Sequence, residues 1–165
     1  MGGIIMKALI VYSSKYGYVK ECVDKIESGI EMETVIIEAK KGLRGITLSE
    51  FDLIIIGSAI YAGSTTRAIR SFCTKHEKEL LAVAHLGLFL CGTDPDNVEQ
   101  NFQKGFPSTL LEKAELKEWF GGRLVLSQVK GIMHAILKKM LKGEQEVHVE
   151  QPEAVDRFIA QSQKL

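Results

Sequence analysis

Four short apolar runs of strand length alternate along the chain with segments of helical periodicity. The runs cover residues 8–12, 34–39, 53–58 and 86–91. Each run is apolar almost throughout, as in strands that are covered by helices on both faces. Between the runs, apolar residues recur every three or four positions, which is the spacing of amphipathic helices. The pattern predicts an α/β fold with a doubly wound, mainly parallel sheet.

The remaining segments extend this pattern. A helix is predicted from Val19, and a short or irregular one over residues 40–50, which are too few for a regular crossover helix. A fifth strand is expected around residues 119–122. Two further helices are predicted, one over residues 129–142 and a final one opened by Pro152.

Length and composition indicate one folded domain. The 165 residues suffice for a single core, and 45% are hydrophobic, which excludes the disordered and disulfide-scaffold classes. We expect residues 1–165 to form one domain, with 1–6 a disordered or start-site extension. Lys and Arg together number 21, as do Asp and Glu, so no net charge favours nucleic acid.

Cysteine spacing and apolar-run length predict a cytoplasmic protein. Cys22, Cys73 and Cys91 are odd in number and too far apart for a zinc motif, so we expect reduced thiols in the core. No apolar run approaches the roughly 20 residues that span a bilayer. No metal site and no catalytic side chain are predicted.

Three loops are placed to bind a ligand. In open parallel sheets, ligands bind beyond the carboxyl ends of the strands, which here lead into residues 13–18, 59–65 and 92–97. The first loop runs into a helix N-terminus, whose free amides suit a phosphate, and Ser14 adds a hydroxyl. An ordinary capping turn needs the same residue types, so both interpretations stay open. Neither GxGxxG after the first strand nor GxxxxGK[ST] occurs.

Two of these loops carry a family resemblance. Residues 8–17, ending Ser13-Ser14-Lys15-Tyr16-Gly17, resemble the first strand and FMN phosphate loop of flavodoxin-like proteins, in particular the branch that includes the menaquinone-dependent protoporphyrinogen oxidases. Residues 56–63 resemble the second flavin loop of that branch. Weaker matches at Phe106-Pro107 and over 120–124 extend the resemblance across residues 8–142. It implies five parallel strands in the order 2-1-3-4-5, with helices on both faces.

The resemblance also implies noncovalent FMN. The family places Ser or Thr at three phosphate-loop positions, where this chain has Ser14, Tyr16 and Val19, so backbone amides would supply more of the contacts. The residues implied in cofactor binding are Ser13, Ser14, Lys15, Tyr16, Gly17, Tyr18, Val19, Ala59, Ile60, Tyr61, Ala62, Gly63, Gly92, Thr93, Asp94 and Asn97.

Individual side chains of the flavin loops leave alternatives open. Tyr61 either stacks on the flavin ring or is a half-buried aromatic at a loop corner. Gly57 and Gly63 would let the backbone approach the ring. Asp94 and Asp96 either lie near the ring, where their charge would disfavour its anionic reduced form, or are turn and capping residues, the role expected for Asp96.

The function implied by the resemblance is an FMN-dependent oxidoreductase whose chemistry resides on the flavin. A protoporphyrinogen-type substrate with a quinone acceptor is expected. The alternative is a flavodoxin that carries electrons to a redox partner protein without a substrate of its own, which zero net charge disfavours.

The predicted helix over residues 129–142 bears on whether the protein contacts a membrane. It has four lysines, no acidic residue and seven apolar positions. We expect it to pack against the sheet, although a basic amphipathic helix can instead lie on an anionic membrane. In the second case the protein would be peripheral to the inner face of the membrane.

Overall fold

The computed structural model describes residues 5–61 and 63–165, and of Tyr61 it describes the backbone. The expectations about residues 1–4 and Ala62 lie outside the described residues. The strands are β1 Lys7–Ser13, β2 Glu33–Glu38, β3 Leu53–Tyr61, β4 Ser64–Thr65, β5 His85–Cys91, β6 Leu116–Trp119, β7 Arg123–Val125 and β8 Glu146–His148. The helices are α1 Tyr18–Gly29, α2 Arg67–Lys75, α3 Glu77–Ala82, α4 Val98–Gly105, α5 Ser108–Lys113, α6 Gly131–Met140 and α7 Pro152–Ser162.

Five parallel strands form the main sheet. Their order is β2-β1-β3-β5-β6, which confirms the predicted 2-1-3-4-5 arrangement. The short strand β4 pairs antiparallel with the end of β3, and β7 and β8 form a separate two-stranded sheet. The chain order therefore reverses between β1 and β3, at the centre of the sheet.

Alternate residues of the central strands feed two separate cores. Leu9 and Val11 of β1 pack under α2, α3, α4 and α5, whereas Ala8 and Ile10 pack under α1 and α7. All four side chains are fully buried. Because successive side chains of a strand point to opposite faces, continuous apolar runs require helices on both faces.

The segment joining β2 to β3 is irregular, as expected. It contains two short 3₁₀ turns, Ala39–Lys41 and Leu48–Glu50, and no α-helix. Leu48 is buried beneath α3 and anchors this connection to the core.

The fifth strand ends earlier than predicted. β6 stops at Trp119, and residues 120–122, which were expected to lie at its centre, form a loop. Gly121 has φ +68°, and a Cβ there would lie 1.9 Å from the carbonyl oxygen of Val149. This left-handed turn against neighbouring backbone ends the strand.

The expectation that the helix at 129–142 packs into the core is wrong. No residue of α6 is buried, and the side chains of Ile132 and Met140 are 81% and 68% exposed. The helix is tethered through His134, whose Nδ1 lies 2.8 Å from the Val129 carbonyl oxygen. The sheet face beside α1 is occupied by α7, so α6 lies outside that layer.

A glycine at the centre of the sheet makes room for an aromatic cluster. Gly57 of β3 pairs with Phe89 of β5, and a Cβ on Gly57 would lie 1.9 Å from the Phe89 ring. Phe89 stacks on Phe120 at 4.6 Å between ring centroids and meets the edge of Phe158 at 6.2 Å. All three rings are fully buried.

We expect Gly57→Ala to lower the free energy of unfolding by about 1–3 kcal/mol, because the added methyl group overpacks the Phe89 ring. Urea denaturation measures this change. Gly29→Ala is the control, since its methyl group meets only side-chain atoms of Ile159, at 2.9 Å or more, and no aromatic ring. Phe89→Leu in the Gly57→Ala background should recover part of the loss, and a Gly57→Ala protein as stable as the parent would contradict the packing argument.

Candidate functional site

The three predicted loops lie side by side. They follow β1, β3 and β5, which are neighbours in the sheet and run parallel, so their carboxyl ends share one edge. The structure therefore brings the described residues of all three predicted loops to the point where the strand order reverses, the usual ligand crevice of such sheets.

Within the described residues, the amides at the start of α1 have no side-chain acceptor. Gly17 is the N-cap residue, with φ +95°, and it has no side chain with which to cap the helix. The Ser14 hydroxyl accepts a hydrogen bond from the Gly17 amide at 3.2 Å, which closes the loop and leaves the first turn of the helix uncapped. Gly17, and not Ser14, is therefore the N-cap residue of α1. The uncapped amides and the helix dipole suit an anion.

The side chains of Tyr18 and Val19 serve the fold. Val19 is buried in the core, so only its backbone can face the crevice. The Tyr18 hydroxyl donates to the Phe120 carbonyl oxygen at 2.8 Å, and burial raises the pKa of Tyr18 well above its usual value. The Lys15 ammonium lies 5.7 Å from the centroid of the Tyr16 ring. Ser13 is half-buried at the end of β1.

The second loop is a braced hairpin. Tyr61 pairs with Ser64 across the turn between β3 and β4, and Gly63 in that turn has φ +78°. The Arg70 guanidinium donates to the Ser64 hydroxyl at 3.1 Å and to the Thr65 carbonyl oxygen. Ala59 and Ile60 are half-buried at the end of β3. Stacking by Tyr61 stays a prediction, because its side chain lies outside the described part of the chain.

In the third loop, the aspartate that caps the turn is not the one expected from the sequence. The Asp94 carboxylate accepts from the Asp96 amide at 3.2 Å and from the Asn97 side chain at 2.7 Å, and so caps the turn Pro95–Asn97. The capping role expected for Asp96 belongs to Asp94. Gly92 and Thr93 are half-buried, and the Gly92 amide donates to the Gly121 carbonyl oxygen at 3.0 Å. The loop after β6 thus supports this side of the crevice.

One polar residue beside the crevice escaped the sequence analysis. Asn101 of α4 is only 6% exposed, and its side chain forms no hydrogen bond within the described residues. Its Oδ1 lies 3.9 Å from the position that a Cβ on Gly63 would occupy. The sequence signal was available, since Asn101 interrupts an apolar helical stripe three residues after Val98. Buried amides without partners are rare, so Asn101 is a candidate to bond a ligand or a rearranged second loop.

Cys73 and Cys91 behave as expected of core thiols, whereas a hydrogen bond with Cys91 lowers the pKa of Cys22. Cys22, Cys73 and Cys91 are free and buried. Burial raises the pKa of Cys73 to about 12 and that of Cys91 well above its ordinary value. Among the residues that the structure describes, no cluster of His, Cys, Asp and Glu could hold a metal ion.

A comparison with family models decides the family. The flavodoxin domain model matches residues 9–149, which is most of the chain. The chain belongs to the flavodoxin domain family. No curated protein matches the chain.

Solved structures agree on the flavodoxin fold. The chain is similar to the FMN-bound flavodoxin of Fusobacterium nucleatum, at 12% identity and a TM-score of 0.56, with 97% of this chain and 98% of that chain covered. A flavodoxin of Streptococcus pneumonia TIGR4 matches at 14% identity and a TM-score of 0.56, covering 96% and 99%.

A third structure is a longer protein. The rubredoxin oxygen:oxidoreductase of Desulfovibrio gigas matches at 12% identity and a TM-score of 0.57 over 93% of this chain. The match spans only 37% of that oxidoreductase. Within the described residues, no helix of this flavodoxin-domain protein is long and apolar enough to cross a membrane.

We expect Asn101→Leu to raise the free energy of unfolding of the FMN-free protein by about 1–3 kcal/mol, because it removes a buried amide that lacks a partner. Urea denaturation tests this. Ser162→Ala is the matched control: the buried Ser162 hydroxyl donates to the Phe158 carbonyl oxygen at 2.7 Å, so its loss should destabilise. A destabilised Asn101→Leu protein would mean that the amide is already satisfied.

Proposed function

We propose that this protein binds FMN noncovalently and carries electrons between redox partner proteins. The observation that carries the proposal is the uncapped N-terminus of α1 behind the Gly17 turn, at the strand-order reversal between β1 and β3. Bound FMN would supply the redox chemistry. The flavodoxins to which the chain is similar include one described as bound to flavin mononucleotide.

The residues present fit the phosphate of FMN. Residues 13–19 contain no carboxylate, and the next one along the chain, on Glu21, is paired with Arg123 at 2.6 Å. The Ser14 hydroxyl donates to no group in the described chain, so its proton is available for a phosphate oxygen. Backbone amides at the start of α1, those of Tyr18 and Val19, would complete the cradle in place of the side-chain hydroxyls that the family has at Tyr16 and Val19.

The other two loops would hold the flavin ring. Residues 59–61 and 63 lie at the end of β3, and Gly92, Thr93, Asp94 and Asn97 follow β5, the strand that pairs with β3. Asn101 fits this role, because a bound ring or a shifted second loop would give its buried amide a partner. The Asp94 carboxylate would disfavour negative charge on a neighbouring ring.

A flavin-dependent oxidase is the second candidate. The protoporphyrinogen-type substrate and quinone acceptor expected from the sequence resemblance are favoured by one observation, the exposed apolar face of α6. The lysines at 130, 138, 139 and 142 border that face, and the segment contains no acidic residue. Such a helix would bring the protein to an anionic membrane, where quinones are dissolved.

Turnover distinguishes the two candidates. The FMN-loaded protein is mixed with protoporphyrinogen and a menaquinone analogue, and porphyrin fluorescence is followed. An electron carrier should be inert in this assay. Sustained porphyrin formation would replace the carrier by the oxidase.

We expect the protein to bind FMN at least tenfold more tightly than riboflavin, because the amides at α1 and the Ser14 hydroxyl contact only the phosphate. Isothermal titration calorimetry measures both affinities. Ser14→Ala should weaken FMN binding about tenfold or more and leave riboflavin unchanged, since a hydrogen bond to a charged group contributes about 1.5–3 kcal/mol. Ser127→Ala, at an exposed turn, is the control. Equal affinities for the two flavins would refute the phosphate site.

We expect α6 to bind vesicles of phosphatidylcholine and phosphatidylglycerol in preference to phosphatidylcholine alone, as measured by co-sedimentation. Ile132→Asp/Met140→Asp should lower the bound fraction at least fivefold, because it places charges on the apolar face. Leu81→Asp changes an exposed leucine on α3 and serves as the control. Equal sedimentation of parent and α6 variant would count against membrane contact by this helix.

A further inference from the structure

A basic groove lies beside the candidate cofactor site. It has a volume of about 650 Å³ and separates the segment at 39–44 from α2. Its floor is apolar, formed by Ala39, Leu43, Ala68 and Phe72. Its rim carries Lys40, Arg44, Arg67 and Lys75, and no carboxylate of the described chain lines it. We refer to this feature as the basic groove.

The cations of the basic groove are largely without partners. Of the five arginines in the sequence, Arg70, Arg123 and Arg157 are engaged by hydrogen bonds or ion pairs. Arg44 and Arg67, the other two, have no such partner within the described residues, and both line the groove. Lys75 also has no ion pair there, whereas Lys40 lies 3.3 Å from the Glu38 carboxylate. Both arginines that lack an ion pair or side-chain hydrogen bond in the described chain therefore lie in this groove.

The backbone conformation at Arg44 is unusual for a residue with a side chain. Arg44 has φ +48° and lies between two glycines with positive φ, Gly42 and Gly45. A left-handed conformation is unfavourable for a residue with a side chain, and glycine adopts it readily. The chain thus has an arginine where the backbone favours glycine.

The basic groove adjoins the cofactor edge of the sheet. Arg67 begins α2 only four residues after Gly63 of the second loop. On the opposite wall, Glu38 joins Lys40 to the hydroxyl of Tyr12, the residue that precedes the first loop. A molecule bound along the groove would therefore lie next to the crevice.

We propose that the basic groove docks an acidic redox partner protein, an inference that rests on the proposed electron-carrier function. The rim cations are exposed, which suits long-range steering of a partner. They extend along α2 from Arg67 to Lys75, eight residues or about 12 Å, a span that suits several carboxylates on a protein surface better than one phosphate. Because the net charge of the chain is zero, a local patch must supply the steering. The apolar floor would pack against the docked partner.

Electron transfer from an acidic donor tests the docking. A reduced plant-type ferredoxin, which is an acidic protein, is mixed in a stopped-flow instrument with the FMN-loaded protein, and flavin absorbance is followed. We expect the second-order rate constant to fall at least fivefold between low and high salt. Arg44→Glu/Arg67→Glu should lower the low-salt rate constant at least tenfold. Lys104→Glu/Lys164→Glu makes the same change in net charge at other exposed positions and should alter it less than threefold.

Two outcomes of the kinetics would overturn the proposal. One is an equal loss of rate in both double variants, which would reflect net charge alone. The other is a rate constant that neither salt nor the groove variant changes. FMN affinity is measured first for every variant, so a failure to bind FMN is recognised as a failure of the proposed function.

A readout that needs no flavin separates the two proposals further. Oxidised ferredoxin is titrated into the ¹⁵N-labelled protein as purified, and amide chemical shifts are recorded. Shifts concentrated at residues 39–44 and 67–76 support docking, even if FMN does not bind. Shifts confined to other surfaces refute it. Tripolyphosphate is titrated separately, and saturation of the groove by micromolar tripolyphosphate without any response to ferredoxin would make it a small-anion site instead.

Discussion

The contact between Phe89 and Gly57 connects the core of this protein to its candidate site. The ring of Phe89 occupies the space above a residue without a side chain and packs with Phe120 and Phe158 in a buried cluster. The Phe120 amide donates to the Leu90 carbonyl oxygen, and the Phe120 carbonyl oxygen accepts from the Tyr18 hydroxyl. One aromatic cluster therefore positions the start of α1, the end of β5 and the loop after β6, which together border the crevice.

The sheet was predictable because strands that are buried on both faces are apolar almost throughout. The four apolar runs correspond to β1, β2, β3 and β5, and the family resemblance supplied their order. The fifth strand was misplaced because Phe120 and two glycines look like a buried strand end, whereas a left-handed Gly121 turns the chain there. The α6 helix was misplaced because an amphipathic pattern does not reveal whether α7 already occupies the sheet face.

The position of the site was easier to predict than its contacts. The rule that ligands bind at carboxyl ends of strands identified the three loops from strand boundaries alone. Which residue caps a turn depends on the direction of the backbone, which residue types alone do not reveal. The sequence therefore did not show that the start of α1 is uncapped, or that Asp94 and not Asp96 caps the turn at 95–97. The lack of a hydrogen-bond partner for the Asn101 amide in the described chain depends on tertiary structure, because it depends on how Gly63 and α4 pack around that amide.

Charge arrangement also corrects an argument made from charge totals. Equal numbers of acidic and basic residues speak against a carrier that docks through its overall field. In the structure, however, Glu21 and Glu118 neutralise Arg123 and Arg157, whereas Arg44 and Arg67 are left without partners in the described chain. The basic groove that they line is thus a local positive patch on a neutral protein. Because salt screens charges beyond a Debye length of about 8–10 Å, an approaching partner is steered mainly by the charges nearest to it. The local patch, and not the net charge of the protein, therefore determines which partner surface can approach the crevice.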